Sequence, residues 1–219
     1  MPKNQTLDEF YSTFREEVLC ASDTETSGWT TEDFLTNIMM EYLEEAGEVT
    51  DPVICPFRGY GLQMNAYAIS EDCESVDIFV SIYSESDRPR SVSQADIDAA
   101  IKRAIQLYHK AINDLYTAFQ KDNDTYEFAI TLHQNKDNIK HVRICALTNG
   151  LVKPIALKNI TIGDAEISFS LWDVDRLYRC VTSGKMRETI EIDFVEKFQT
   201  SIATVYKGNI IKNLIMDCQ

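Results

Sequence analysis

The stretch GLQMNAYAISEDCESVDIFVSIY, residues Gly61 to Tyr83, contains the strongest strand-turn-strand pattern in the chain. Apolar and polar residues alternate over 62–68 and again over 76–83, with the period of two that is typical of β-strands. The residues between the two halves, 70–75, are mostly polar residues that are common in turns. The stretch therefore predicts a β-hairpin.

Helical patterns lie on both sides of this hairpin. Apolar residues three and four positions apart predict an amphipathic helix over Leu7 to Cys20. A second helix is expected from about Glu32 to Ala46, with Thr30 or Thr31 as its N-cap and Gly47 at its end. The order of helix, strand meander and helix is typical of the core of many nucleases.

The pattern after the hairpin predicts the longest helix of the chain. Ser93 followed by Asp96 approximates a capping box, and the apolar spacing then continues as far as Phe119. Further along, the sequence predicts a short helix at 126–132, strands at 142–147, 165–172 and 189–194, a helix from Asp173 to about Thr182, a β-like segment at 202–206 and a helical start at 210–215.

These elements predict a mixed α/β (α+β) fold with a central mixed sheet flanked by helices. The sheet is expected to contain the hairpin and the strands near residues 142, 166 and 190, and to resemble a degenerate restriction-endonuclease-like core. We expect one nuclease-like domain over 1–194. The segment 195–219 is expected to be a C-terminal extension, the start of a region missing from this chain.

The charge of the chain limits its partners. With 21 Lys and Arg against 35 Asp and Glu, the net charge is −14, which disfavours a nucleic acid partner because phosphates need a concentrated basic surface. The N-terminus lacks a signal-peptide pattern, and no apolar run approaches the roughly 20 residues of a membrane span. The sequence therefore predicts a cytoplasmic protein without a membrane partner.

No cofactor is predicted. The six cysteines contain no CxxC pair, and the three histidines are scattered, so the spacing of a zinc site is absent. Glycine-rich phosphate loops and the GxSxG and HExxH motifs are absent as well.

One enzymatic alternative is a nuclease of the PD-(D/E)xK kind. Such an enzyme needs an acid on one hairpin strand and an acid-x-Lys triplet on the next, so that carboxylates hold Mg²⁺ beside a lysine. The first strand offers Asn65 where the acid is expected, and the second offers Ser81, Ile82 and Tyr83 without a lysine. The acids left for this alternative, in which Mg²⁺ would be the cofactor, are Glu41, Glu45 and Asp77.

Three segments of the chain are distinctive: LDEFYSTF at 7–14, the tetrapeptide MNAY at 64–67, and SFSLWDVDRLYRCVTSGKMRETIEIDF at 168–194. They resemble the N-terminal region of the AIPR family, bacterial proteins of resistance to phage by abortive infection. The family usually has an acidic-Gly-Tyr triplet where this chain has Asn65, Ala66 and Tyr67. The resemblance implies a role in phage defence, and the departure weakens the case for a metal site.

The most specific part of the resemblance has a structural interpretation. Trp172 ends an alternating strand and is expected to be a buried anchor, and Asp173 can cap the following helix. Arg176 is expected to pair with a nearby acid such as Asp173 or Glu188. This interpretation makes the motif architecture rather than a binding site.

Together these observations predict a non-catalytic recognition or regulatory N-terminal domain of an AIPR-like defence protein. Its expected partner is another protein or the missing C-terminal region of the same protein. The alternatives are a divalent-metal-dependent DNA or RNA nuclease and an oligomerisation domain that forms a homo-oligomer.

Overall fold

A computed structural model describes residues 6–24, 28–121, 123–155, 157–183, 202–207 and 210–215. The helices are α1 (Leu7–Thr24), α2 (Thr31–Glu45), α3 (Gln94–Ala111), α4 (Asp124–Gln134) and α5 (Val174–Thr182), with a 3₁₀ turn at Leu115–Ala118. The strands are β1 (Val53–Gly59), β2 (Leu62–Ile69), β3 (Ser75–Ile82), β4 (His141–Thr148), β5 (Ile160–Ile162), β6 (Ala165–Trp172), β7 (Ile202–Lys207) and β8 (Ile210–Ile215). The mixed α/β class is confirmed.

Six of the strands form one mixed sheet in the order β1-β2-β3-β4-β6-β5. The first three are antiparallel neighbours, which confirms the predicted hairpin. Strand β4 is parallel to both β3 and β6, while the short β5 pairs antiparallel with β6 at the edge. The polypeptide returns from β3 to β4 through α3 and α4, because parallel neighbours need a long crossover.

Both faces of the sheet are covered, so its central strands are buried on both sides. One core lies between the sheet and α3 and α4, and contains Ile78, Ile144 and Ile167. The other lies between the sheet and α1, α2 and α5, and contains Phe79, Cys145 and Trp172. Such double burial explains why the centres of β3 and β4, residues 78–80 and 144–147, are wholly apolar.

Strand β2 changes face partway along its length. Leu62 and Met64 belong to the core beside α3, whereas Ala66 and Ala68 belong to the core beside α2. Because side chains alternate with a period of two, one residue must break the alternation between Met64 and Ala66. The sequence predicts one uninterrupted alternation, which would place Asn65 and Ala66 on opposite faces. Instead, Asn65 bonds Asp33 of α2, and Ala66 belongs to the core beside the same helix.

Cap residues predicted from the sequence begin three of the helices. Ser93 accepts a hydrogen bond from the backbone N–H of Asp96, and Asp173 accepts one from that of Arg176. Thr30 is the N-cap of α2, where its backbone N–H and hydroxyl both donate to Asp33 Oδ2.

Two boundaries differ from the prediction. Helix α3 ends at Ala111 instead of Phe119. It is 18 residues long, the same length as α1. The chain turns there through the 3₁₀ segment, and Phe119 then packs edge-to-face on Phe57 at a centroid distance of 5.2 Å. The weak helical pattern at 126–132 is confirmed as part of α4.

The contacts within the chain divide it into two units, residues 1–187 and 188–219. In the second unit, the β-like segment is confirmed as β7, but the predicted helical start at 210–215 is wrong, because those residues form β8 and pair antiparallel with β7. The predicted strand at 189–194 lies outside the described residues. The predicted domain boundary at residue 194 stays a prediction.

None of the helices in the described part of the chain is both long and apolar enough to cross a membrane.

Candidate functional site

A buried polar cluster joins the first turn of α2 to strands β2 and β3. Its members, called the Asn65 cluster below, are Glu32, Asp33, Gln63, Asn65 and Ser81. Gln63, Asn65 and Ser81 are at most 3% exposed. Buried polar groups are tolerated when they are hydrogen-bonded, so the partners of each residue decide what the cluster can do.

Asn65 uses its whole hydrogen-bonding capacity within the cluster. Its Nδ2 donates to Asp33 Oδ1 at 3.1 Å and to Glu32 Oε1 at 3.3 Å. Its Oδ1 accepts from the backbone N–H of Ser81 at 2.9 Å and from Gln63 Nε2 at 3.3 Å. An amide side chain has two donors and one carbonyl oxygen with two lone pairs, so no bond is left over.

The remaining bonds connect the cluster to the neighbouring elements. Glu32 Oε1 also accepts from Gln63 Nε2 and from the guanidinium of Arg58 on β1. Gln63 Oε1 accepts from Arg103 Nε of α3 at 2.9 Å. On the other side, the hydroxyls of Thr36 and Ser81 are 2.6 Å apart. The cluster therefore cross-links α2 and α3 through strands β2 and β3.

Burial raises the pKa of Glu32 above its usual range, and the neighbouring Asp33 charge adds to this effect. Arg58 and the hydrogen bond from Asn65 act in the opposite direction, but they do not cancel the cost of burial. The Glu32 side chain is 18% exposed. Burial in the cluster thus disfavours the charged form of the Glu32 carboxyl group.

A Glu32→Gln variant is expected to change the pH dependence of stability. Because the pKa of Glu32 is raised in the folded state, its contribution to stability is fully present below its ordinary pKa of 4.5 and is lost as pH rises through the folded-state value. Denaturant titrations across this pH range should show that the unfolding free energy of the variant increases relative to that of the wild type as pH rises. A constant difference between the two proteins would contradict this assignment.

A cavity of about 260 Å³ lies over the cluster, and Glu32, Asp33, Arg58 and Asn65 contribute to its lining. The two carboxylates are the oxygen ligands that Mg²⁺ prefers. However, the group that lies between them is the Nδ2 donor of Asn65, which repels a cation, so these residues do not fit a metal ion. In the described part of the chain, no three His, Cys, Asp or Glu side chains are arranged to hold one.

The two strand positions singled out by the sequence do come together, because Asn65 is bonded to Ser81. The glutamates proposed for the nuclease alternative lie elsewhere. Glu41 and Glu45 are exposed and line a separate pocket with Glu17 and Tyr42, and Glu41 accepts a hydrogen bond from Asn37 Nδ2 at 2.8 Å.

Asp77 lies in a third pocket, of about 420 Å³, and forms a bidentate ion pair with Arg143. The same guanidinium donates to the backbone carbonyl of Glu48. The hydrogen bonds to Asp77 are the main cause of the raised pKa of Arg143. Asp77 is therefore a link between β3, β4 and the segment after α2, and it does not line the cavity of the Asn65 cluster.

The Trp172 motif connects β6 to α5. Trp172 is 4% exposed, and the guanidinium carbon of Arg176 lies 3.7 Å from the centroid of its ring. Asp173 caps α5 and also accepts from the backbone N–H of Val152 at 2.9 Å. Arg176 forms no ion pair with Asp173, contrary to one of the expected pairings, and instead donates to the Leu171 carbonyl. Glu188 lies outside the described residues.

Sequence reasoning missed Glu32 and Asp33 as neighbours of Asn65. One signal was present, because Asp33 stands three residues after Thr30 in the pattern of a capping box. The spatial relation itself depends on the packing of α2 against β2 and β3, which no local pattern shows.

The chain matches the family described as "Abortive infection phage resistance protein N-terminal domain" over residues 35–179. This range contains both Asn65 and the Trp172 motif. Comparisons with curated proteins and with solved structures each found no match, so the expected likeness to a restriction-endonuclease-like core is not confirmed. The family match covers most of the chain and agrees with the resemblance carried by its sequence segments. The chain belongs to the abortive infection phage resistance protein N-terminal domain family.

Proposed function

We propose that this domain is a non-catalytic recognition or regulatory part of an abortive infection phage resistance protein. The observation that carries the proposal is the state of Asn65. It is neutral, 3% exposed and bonded at all four of its positions. A metal-dependent nuclease needs a carboxylate at this strand position, because the oxygens must hold the cation that activates water and stabilises the leaving group.

The neighbouring strand supports the same conclusion. Ser81 is engaged with Thr36 and Asn65, and Tyr83 stands where a lysine would be needed. Burial raises the pKa of Tyr83 above its ordinary value of 10.0, so the phenol stays neutral at physiological pH. A neutral phenol supplies neither the positive charge of lysine nor a base for the attacking water.

The expected partner is a protein, or the remainder of the same protein. The net charge of −14 repels an extended phosphate backbone over most of the surface, and the repulsion is strongest at low salt. The surface of a folded protein carries both positive and negative charges, so part of it can be complementary to a local patch on this chain.

The purified chain is expected not to cleave nucleic acid. The test is incubation with labelled single- and double-stranded DNA and RNA in the presence of Mg²⁺ or Mn²⁺. Glu41→Ala, Asp77→Ala and Glu32→Gln should be assayed in parallel, with the exposed Lys136→Glu as a matched control.

Metal-dependent cleavage that one of the carboxylate variants abolishes, and that Lys136→Glu retains, would overturn the proposal in favour of the nuclease alternative. Cleavage that persists in every variant would point first to a contaminating enzyme. A light-scattering mass measured on the same samples tests the oligomerisation alternative.

A further inference from the structure

A pocket of about 410 Å³ lies where the turn between β1 and β2 meets the exposed side of α3. Its apolar lining includes Leu62, Ile105 and Ile162, and the exposed residues His109 and Lys110 of α3 contribute its polar part. This region is called the α3 pocket below. Its volume is within the range of about 300–1,000 Å³ that is common for ligand sites.

Tyr60 lines the α3 pocket and is 91% exposed. It occupies the two-residue turn between the paired Gly59 and Leu62, with φ values of 54° at Tyr60 and 76° at Gly61. Left-handed positions in such turns favour Asn, Asp or Gly, so a tyrosine is a poor choice for the turn itself. Exposed tyrosines are, however, enriched at the centres of protein interfaces.

Among the residues that the structure describes, the lining of the α3 pocket contains no Asp or Glu, and Lys110 is the formally charged residue in it. Its lining residues come from three stretches without any Asp or Glu, 52–70, 99–113 and 138–163. The chain contains 35 acidic residues, yet the fold brings together three segments that have none. The pocket is therefore an apolar site with one cationic residue, Lys110, on an otherwise acidic protein.

Lys110 forms no ion pair with any residue that the structure describes. As a cation in the last turn of α3, it also interacts favourably with the helix dipole. With that structural role alone, substitution of Lys110 would change stability and leave ligand binding unchanged. A role in recognition predicts that the substitution weakens binding.

We infer that the α3 pocket binds a short acidic segment of a partner protein, with an apolar side chain as its anchor. The anchor lies against Leu62, Ile105 and Ile162, while Asp or Glu residues beside it meet His109 and Lys110. Tyr60 covers the anchor from the turn. This inference rests on the proposed recognition function and gives the chemical class of its partner.

Single-stranded nucleic acid is the competing occupant, because it combines stacking bases with phosphates. The lining favours the peptide, since its apolar part is aliphatic apart from Tyr60, and its aromatic rings are those of Tyr60 and His109. Continuous phosphates would also extend from the pocket over the acidic surface, whereas a peptide places only a few charges beside the lysine.

The experiment is a selection of random short peptides displayed on ribosomes against the full chain, with counter-selection against Lys110→Glu. The expected result is a consensus with an apolar residue flanked by Asp or Glu. Fluorescence anisotropy of the enriched peptide should show about tenfold weaker binding to Lys110→Glu and to Tyr60→Ser. Lys136→Glu, a charge reversal at an exposed site that does not line the pocket, should bind like the wild type.

Failure to enrich peptides, a consensus without acidic residues, or binding that both pocket variants retain would overturn the inference. Labelled oligothymidylate that binds the wild type and not Lys110→Glu would assign the pocket to nucleic acid instead. These results are independent of the cleavage assay. The inference can therefore fail while the domain is still non-catalytic, and cleavage activity would refute the proposed function whatever the peptides show.

Discussion

A Trp172→Ala variant is expected to lose about 3–5 kcal/mol of unfolding free energy, which is the usual cost of removing a buried tryptophan. Trp172 is 4% exposed and packs in the core that the sheet shares with α1, α2 and α5. The truncation would leave a cavity and would also remove the ring beneath the Arg176 guanidinium. A loss of this size should lower the melting temperature by roughly 10 °C in a domain of this length.

Circular dichroism during thermal and denaturant unfolding provides the measurement. Tyr60→Ala is the matched control, because it also truncates an aromatic residue but at a position that is 91% exposed. Trp172→Phe should recover part of the loss, since an aromatic ring still fills the core. A Trp172→Ala variant that melts within a degree or two of the wild type would show that the residue is not a structural anchor.

Much of the fold could be predicted from local patterns, because helix caps and the apolar patterns of strands depend on residues close together in the sequence. Ser93 and Asp173 were recognised as caps, since a side-chain oxygen that accepts from an N–H three residues later depends only on nearby sequence. The strands β2, β3, β4 and β6 were recognised from apolar alternation or apolar runs. These are the elements that build the centre of the sheet.

The incorrect predictions arise where non-local contacts override a local pattern. Ile210, Ile211, Leu214 and Ile215 have a spacing that suits a helix, yet their segment pairs with Ile202–Lys207 as an antiparallel strand. The apolar spacing after Ala111 likewise continues to Phe119, but the chain turns away so that Phe119 can pack on Phe57. The pairing of residues 210–215 with β7 and the packing of Phe119 on Phe57 could not be identified from the neighbouring residues.

The candidate site was only half predictable for the same reason. Asn65 and Ser81 follow from the hairpin, because antiparallel strands bring those positions together. Glu32 and Asp33 reach Asn65 because the first turn of α2 packs against strands β2 and β3 at this position. A pattern of period two cannot reveal which helix packs on a given face of the sheet.

An Asn65→Asp variant should lose about 3–5 kcal/mol of stability at neutral pH, the cost typical of an uncompensated buried charge. The amide Nδ2 donates to Glu32 and Asp33 at 3.3 and 3.1 Å. The substitution replaces this donor with an acceptor and places a third carboxylate beside two others. Because such carboxylates cannot all ionise, the pKa of the introduced group should be raised in the folded state.

The loss should therefore depend on pH. A raised folded-state pKa means that the contribution of the introduced carboxyl group is fully present below its unfolded value of about 3.9 and is lost as pH rises. The difference from the wild type should thus be small in acid and largest at neutral pH. Asn65→Leu, which removes the same bonds without a titratable group, should lack this additional pH dependence.

The Asn65→Asp variant also tests the proposal that Asn65 prevents the binding of a catalytic metal ion. Three carboxylates in place of two carboxylates and an amide form the oxygen-rich environment that hard divalent cations prefer. Added Mg²⁺ should then raise the melting temperature of Asn65→Asp and leave those of the wild type and Asn65→Leu unchanged, because only a ligand that binds the folded state stabilises it. Equal stability of Asn65→Asp and wild type at neutral pH without metal would refute the described network, and a Mg²⁺ response of the wild type would refute the claim that Asn65 prevents metal binding.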